Sequence, residues 1–360
     1  MCDKIINSIY IYIYYKYERE KNMNVKKLVY LCISVALLVV SLVFSVDGSS
    51  VSAEFEANKS ETLAEVTDLS DLVSNLPSSK VYYSSEEAAS ENFKSVTMVE
   101  ESELNDENSG YQLNRILTIY FTEKGAYYQS KGVQKQRTNS ENGVFTITTL
   151  FDVEIWIAQG QVFIKYNKYE VDTPKGVEID EMQVLMFDTV KQNYGKWIDL
   201  TYQGTEIDSE NPEQYENMTE EEQIELGKQM LIKQTSIALI EQFININDKN
   251  VESLQKLVTI VSTNLDKFEK VENSYTLMEE HRDILSAYMG SGMTGQFNVN
   301  LNAPTTPRMS FNSNDLKYIV TFKNIGNTNV NVPENIKYGI DDFLGEYFDQ
   351  LIAREMEGEN

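Results

Sequence analysis

An α+β fold built on one antiparallel sheet follows from three features of the sequence. From Tyr111 onward, segments rich in Thr, Tyr, Val and Ile are punctuated by Gly, Asn and Asp, which is the pattern of strands and turns. In the middle of the chain the apolar period changes to that of helices, and strand patterns then resume. Connections between the strands are too short for parallel crossovers, so the sheet is an antiparallel meander. A helical block between two strand runs predicts helices on one side of the sheet.

The elements are expected in this order. Leu63, Val66, Leu69, Leu72 and Val73 recur at helical spacing and predict one short amphipathic helix within an acidic, Ser-rich segment, 54–110. The Glu and Asp run 100–107 reads as a solvated loop; it lacks the alternating ligands and glycine of a calcium loop. Strands are predicted at Leu113–Phe121, Gly125–Val133, Gly143–Ile157 and Gln161–Val171. Asn142-Gly143 and Gln159-Gly160-Gln161 mark hairpin turns. Met182–Phe187 and Trp197–Leu200 read as further strand. Thr219 and Glu222 form a capping box that opens a helix to about Ile246. A second helix follows Asn250, with an apolar stripe from Val251 to Phe268. A third spans about Ser274 to Met289 and stops at Gly290-Ser291-Gly292. Phe297–Leu301, Arg308–Phe311 and Lys317–Phe322 are strands again, Val330–Val332 precedes Pro333, and Ile340–Ile352 is a last amphipathic helix. The main domain is placed at 111–355.

The N-terminus reads as a targeting segment. Leu28–Val46 is 19 residues without a charge, preceded by Lys26 and Lys27 and followed by Val51-Ser52-Ala53. Residues 23–53 are thus a signal peptide cleaved after Ala53, or an uncleaved membrane anchor, since about 20 apolar residues span a bilayer. Either way the acidic remainder is exported. Cys32 does not lie in a lipidation site: Leu31 precedes it and it sits inside the apolar run. Residues 1–22 are Ile- and Tyr-rich, as translated AT-rich DNA would be, and translation is expected to start at Met23.

Composition narrows the function. Of 360 residues, 56 are Asp or Glu and 31 Lys or Arg, a net charge of −25, which excludes holding nucleic acid by charge. The chain has one histidine and two cysteines, Cys2 and Cys32; both cysteines precede Ala53. The exported part folds without disulfides, a usage common in Gram-positive exported proteins. His281 lies beside Glu279 and Glu280, but no nucleophile motif, phosphate loop or nucleotide fingerprint accompanies it. No catalytic residue, metal ligand or cofactor is assigned, and the protein is expected not to be an enzyme.

Tyr and Phe are abundant, 22 and 15, and many fall on the strands. They fit a filled core, or an apolar cleft between sheet and helices with adaptable walls from Met278, Met289 and Met293. On the central hairpin, Val153, Ile155 and Ile157 share one face and continue across the turn to Val162 and Ile164; Trp156 and Phe163 share the other. The aliphatic set is taken as the ligand-binding lining, because Glu154 shares the face of Trp156 and an unpaired buried carboxylate is costly.

Three segments resemble the LolA-like and LppX-like superfamily of bacterial exported lipid carriers. They are the hairpin Asp152–Ile157 with Gly160–Tyr166, the strand Lys196-Trp197-Ile198-Asp199-Leu200, and Phe322–Gly326 followed by Val330-Asn331-Val332-Pro333-Glu334. At the level of elements the resemblance covers about 60–335. It implies a strongly curved antiparallel half-barrel, with the helices inserted between strands packing on its concave side over an apolar cavity. The chain lacks the lipidated cysteine of some members, and its last helix extends past the closing strand. The resemblance implies an exported or surface-anchored protein whose partner is a lipid or other apolar small molecule. The alternative is an envelope interaction module with a filled core.

Overall fold

A computed structural model describes residues 68–76, 95–105, 109–122, 125–140, 143–158, 161–174, 181–204, 219–285, 295–301, 307–313, 316–326, 328, 330, 333 and 336–358. The targeting segment expected within 1–53, the start of the first predicted helix and the Gly290-Ser291-Gly292 stop lie outside these residues. No helix among the described residues is long and apolar enough to cross a membrane. The class is α+β: among the described residues there are twelve strands, whose described pairings are antiparallel with one exception, and a few helices. Contacts divide the chain into two compact units.

The first unit draws on residues 178–243 and 335–360. It contains a helix Glu181–Gln192, a strand Trp197–Asp199, the first half of a long helix Glu220–Ser262, a strand Tyr338–Gly339 and a last helix Ile340–Gly358. The two short strands pair in parallel, Tyr338 with Ile198. Leu185, Ile198, Phe343, Leu344 and Tyr347 are among the buried residues of this unit. Lys228 on the long helix binds Asp349 on the last one.

The second unit, residues 46–177 and 244–334, carries the main sheet. Its strands are β1 Ser95–Asn105, β2 Ser109–Thr122, β3 Gly125–Ser140, β4 Gly143–Ala158, β5 Gln161–Asp172, β7 Phe268–Val271, β8 Ser274–Leu277, β9 Gln296–Asn300, β10 Arg308–Asn312 and β11 Leu316–Lys323, with Trp197–Asp199 of the first unit counted as β6 and Tyr338–Gly339 as β12. The spatial order is β5-β4-β3-β2-β1-β11-β10-β9-β8-β7. Both predicted hairpins form, since Ser140 pairs with Gly143 and Ala158 with Gln161. Helix α1, Leu69–Asn75, starts where the Asp68 carboxylate accepts from the Asp71 N–H at 2.9 Å.

Register sorts the side chains. On one face stand Val96 and Met98 of β1, Leu117 and Ile119 of β2, Ile155 of β4, Ile164 of β5, Val320 and Phe322 of β11, Met309 and Phe311 of β10, and Phe297 and Val299 of β9. All are buried, so this is the core face of the sheet. In the middle of β3, Gly132 lets two backbones come together. A Cβ there would lie 2.2 Å from the Asn114 carbonyl oxygen, which no side-chain-bearing residue tolerates.

Several predicted elements differ. The acidic run beginning at Glu100 is strand through Asn105, because it pairs on both sides with β2 and β11; the sheet thus begins at Ser95, ahead of the boundary at 111. Met182–Phe187 is helical (α2, Glu181–Gln192). Leu185, Met186, Thr189 and Val190 are among its buried residues, a helical spacing hidden in a short apolar run. The two central helices are one 43-residue helix, α3 (Glu220–Ser262), since no Gly or Pro interrupts Asn247–Asn250. The capping box opens it: the Thr219 N–H donates to Glu222 Oε2 at 2.7 Å, and the Glu222 N–H to Thr219 Oγ1 at 3.3 Å. The predicted third helix begins instead as strand β8, Ser274–Leu277, which pairs with β7 across a turn at Glu272-Asn273 that puts Glu272 at φ 55°; a 3₁₀ turn, Glu279–His281, follows, residues 283–285 are helical, and 286–289 lie outside the described residues. The last helix, α4 (Ile340–Gly358), is as predicted and longer.

Candidate functional site

The central hairpin β4–β5 brings the five predicted lining residues together. Ile155 pairs with Ile164 and Ile157 with Val162, and Val153 follows opposite Tyr166, so all five stand on the core face. Ile155, Val162 and Ile164 are buried; Val153 and Ile157 are half-buried. Next to them on β4, Phe151 is also half-buried. Opposite Val153 and Phe151 across the β3 ladder lie Ser130 and Gly132, which present almost no side chain to this face. This strip of the face therefore sets small side chains on β3 beside apolar ones on β4.

The same face behaves differently further along the sheet. Phe311 and Phe322 are 0% exposed, and Phe297, Val299, Met309 and Val320 are buried with them. Alternation puts apolar residues on the face in both places. Over β4 the cover is incomplete, as it also is at Leu104, Tyr111 and Leu316 at the far end of β1, β2 and β11.

Polar groups interrupt the core face at several points. Glu100 and Arg115, opposite each other on β1 and β2, form a direct ion pair with little exposure. Tyr318 stands across β1–β11 from Ser102, one step along the face. Burial holds its hydroxyl well above the ordinary tyrosine value, and the Glu100 charge adds to this. Gln134 on β3, between Leu113 and Thr149, is 3% exposed.

The opposite face of the hairpin corrects one premise of the sequence reading. Trp156 is 4% and Glu154 9% exposed, so this side is shielded from water as well. Glu154 is far from unpaired. The Tyr127 hydroxyl donates to its Oε2 at 2.8 Å, the Asn167 amide to its Oε1 at 2.7 Å, and Lys165 Nζ lies 2.6 Å from Oε1. Asn167 reaches this carboxylate because β5 bulges there: Asp152 pairs with Lys168 and Val153 with Tyr166, leaving Asn167 as the extra residue. Asn167 also donates to Asp152, which takes Gln129 and Lys131 in addition. Burial, then the Glu154 charge, keeps the Tyr127 hydroxyl protonated far above its usual range. The network is closed on itself and is best read as a polar clasp across β3, β4 and β5.

His281 lies in a 3₁₀ turn, Glu279–His281, and not on a helix face. Among the described residues no group of three His, Cys, Asp or Glu side chains is placed to hold a metal. Sequence reasoning missed Ser130, Gly132, Gln134 and Asn167. β3 reads Ala-Tyr-Tyr-Gln-Ser-Lys-Gly-Val-Gln-Lys-Gln, polar on both alternations, so no face can be told from it. The isolated glycine at 132 was the usable signal. The chain matches no family model, no curated protein and no solved structure in the comparisons made.

Proposed function

We propose that the protein is an exported, non-enzymatic bacterial protein that binds an apolar ligand or lipid on the core face of its sheet, over β3 and β4. One observation carries the reading. Phe151, Val153 and Ile157 remain half-buried, whereas the same face over β9 and β10 is covered, and Phe151 and Val153 stand opposite the small residues Gly132 and Ser130, a strip that we read as a shallow trough. Incompletely covered apolar surface beside small residues is what an alkyl chain fills, at about 25 cal/mol per Å² of area removed from water. In this reading the sheet curls toward that face as a half-barrel. The buried stripe Leu254, Leu257, Ile260 and Val261 of α3 closes part of its concave side. The reading also takes up the resemblance to LolA-like and LppX-like carriers. It places the protein outside the cytoplasmic membrane, anchored there by Leu28–Val46 if that segment is uncleaved.

The test is uptake of a fluorescent acyl probe by wild type and by Val153→Trp. The indole would lie in the trough, so binding should weaken about tenfold, equivalent to ~1.4 kcal/mol, with the circular dichroism spectrum unchanged. Wild-type protein that takes up no apolar probe would leave an envelope interaction module as the better account.

A further inference from the structure

The core face carries a buried polar side chain whose needs the protein does not meet. Gln134 Oε1 is shut away from solvent and accepts no hydrogen bond. A buried amide oxygen keeps the cost of its lost hydration until a donor reaches it, and native folds leave few such atoms. Its neighbours across the sheet are Leu113 and Thr149. Along β3 it stands in the same row as Gly132 and Ser130, the floor of the trough.

On β1 and β2, beside this strip, charge is already paired. Arg115 and Glu100, which stand on β2 and β1 in the same face, bind each other. The pair presents no net charge to a ligand head. The distance also fits an amphiphile. From the Tyr128–Ile155 pair to the Gln134–Thr149 pair is six residues along extended strands, about 20 Å at ~3.4 Å per residue, the reach of a long acyl chain.

We infer that the ligand is an uncharged amphiphile: its acyl chain lies over Ser130, Gly132 and Val153, and its head donates a hydroxyl or amide hydrogen to Gln134 Oε1. This rests on the reading of the face as an apolar-ligand site, and it narrows the ligand class to molecules of the monoacylglycerol kind.

The experiment compares three ligands of one chain length on the full chain by titration calorimetry: 1-monooleoylglycerol, methyl oleate, which has no donor, and oleate, which is charged. Wild type should bind monooleoylglycerol about tenfold tighter than methyl oleate, the worth of one buried hydrogen bond, and oleate more weakly than monooleoylglycerol. Gln134→Leu should remove the tenfold difference and leave methyl oleate binding as it was. Equal wild-type affinities for the first two ligands, or tightest binding of oleate, would overturn this inference and leave the apolar-ligand reading standing. Failure to bind any of the three would overturn both. The wild-type comparison decides even where the variant does not fold.

Discussion

Two stretches of one sheet face make an instructive pair. Over β9 and β10 the apolar residues are sealed: Phe311 is 0% exposed and its cross-strand neighbour Phe297 is 1%. Over β4, Phe151 and Val153 show the same alternation but stay half-buried. Sequence alternation fixes which side chains share a face. Whether anything covers that face depends on distant parts of the chain, and here that is where the two stretches part.

The comparison can be broken at several points. The largest effect should come from truncating the sealed stretch. Phe311→Ala should cost about 3–5 kcal/mol in urea unfolding, because the cavity cannot collapse, whereas Phe151→Ala should cost about half as much or less, since that ring is only half removed from water. Equal losses would mean that the two stretches are packed alike.

Alkaline pH should act next. Tyr127 and Tyr166 are both buried, and burial is the main cause that raises their hydroxyls well above the ordinary value of 10.0; the Glu154 charge adds to it for Tyr127, and Tyr169 for Tyr166. In the unfolded chain both ionise near 10, while the folded chain keeps its protons. Their stabilising contribution is therefore complete below pH 10 and falls as pH rises beyond it, by about 1.4 kcal/mol per pH unit for each tyrosine. Urea midpoints measured from pH 8 to 11.5 should be level and then drop. A flat profile to pH 11.5 would show that these hydroxyls are not enclosed.

The smallest effect belongs to the outer edge of the same hairpin. Lys168 and Glu170 lie 3.1 Å apart with both side chains nearly half exposed. Lys168→Ala should change stability by no more than about 0.5 kcal/mol. A loss several times larger would tie this pair to the polar clasp beside it.

Much of the strand pattern was legible. Asn142-Gly143 and Gln159-Gly160 located both hairpins, and the spacing of Val153, Ile155, Ile157, Val162 and Ile164 put them on one face, where register also has them. The helical block was harder. A short apolar run such as Val184–Phe187 satisfies strand and helix alike until its burial is known, and no local residue distinguishes one long helix from two when Asn and Asp take the place of Gly or Pro. Glu100 and Glu101 read as loop because acidic residues are poor strand formers, yet pairing on both sides overrides that preference. The site itself was half legible. Its apolar wall has a period of two, but its floor is made of absent side chains at Ser130 and Gly132, and the partners of Glu154 come from β3 and from a bulge in β5.

The central claim is that the uncovered part of the core face holds an apolar molecule. Native mass spectrometry of the gently purified protein, with organic extraction of the same sample, addresses this most directly. The account predicts a fraction of protein heavier by the mass of one acyl-bearing lipid, lost on collisional activation and recovered in the extract. Protein at its bare mass, with nothing extracted and no acyl probe taken up afterwards, would contradict it.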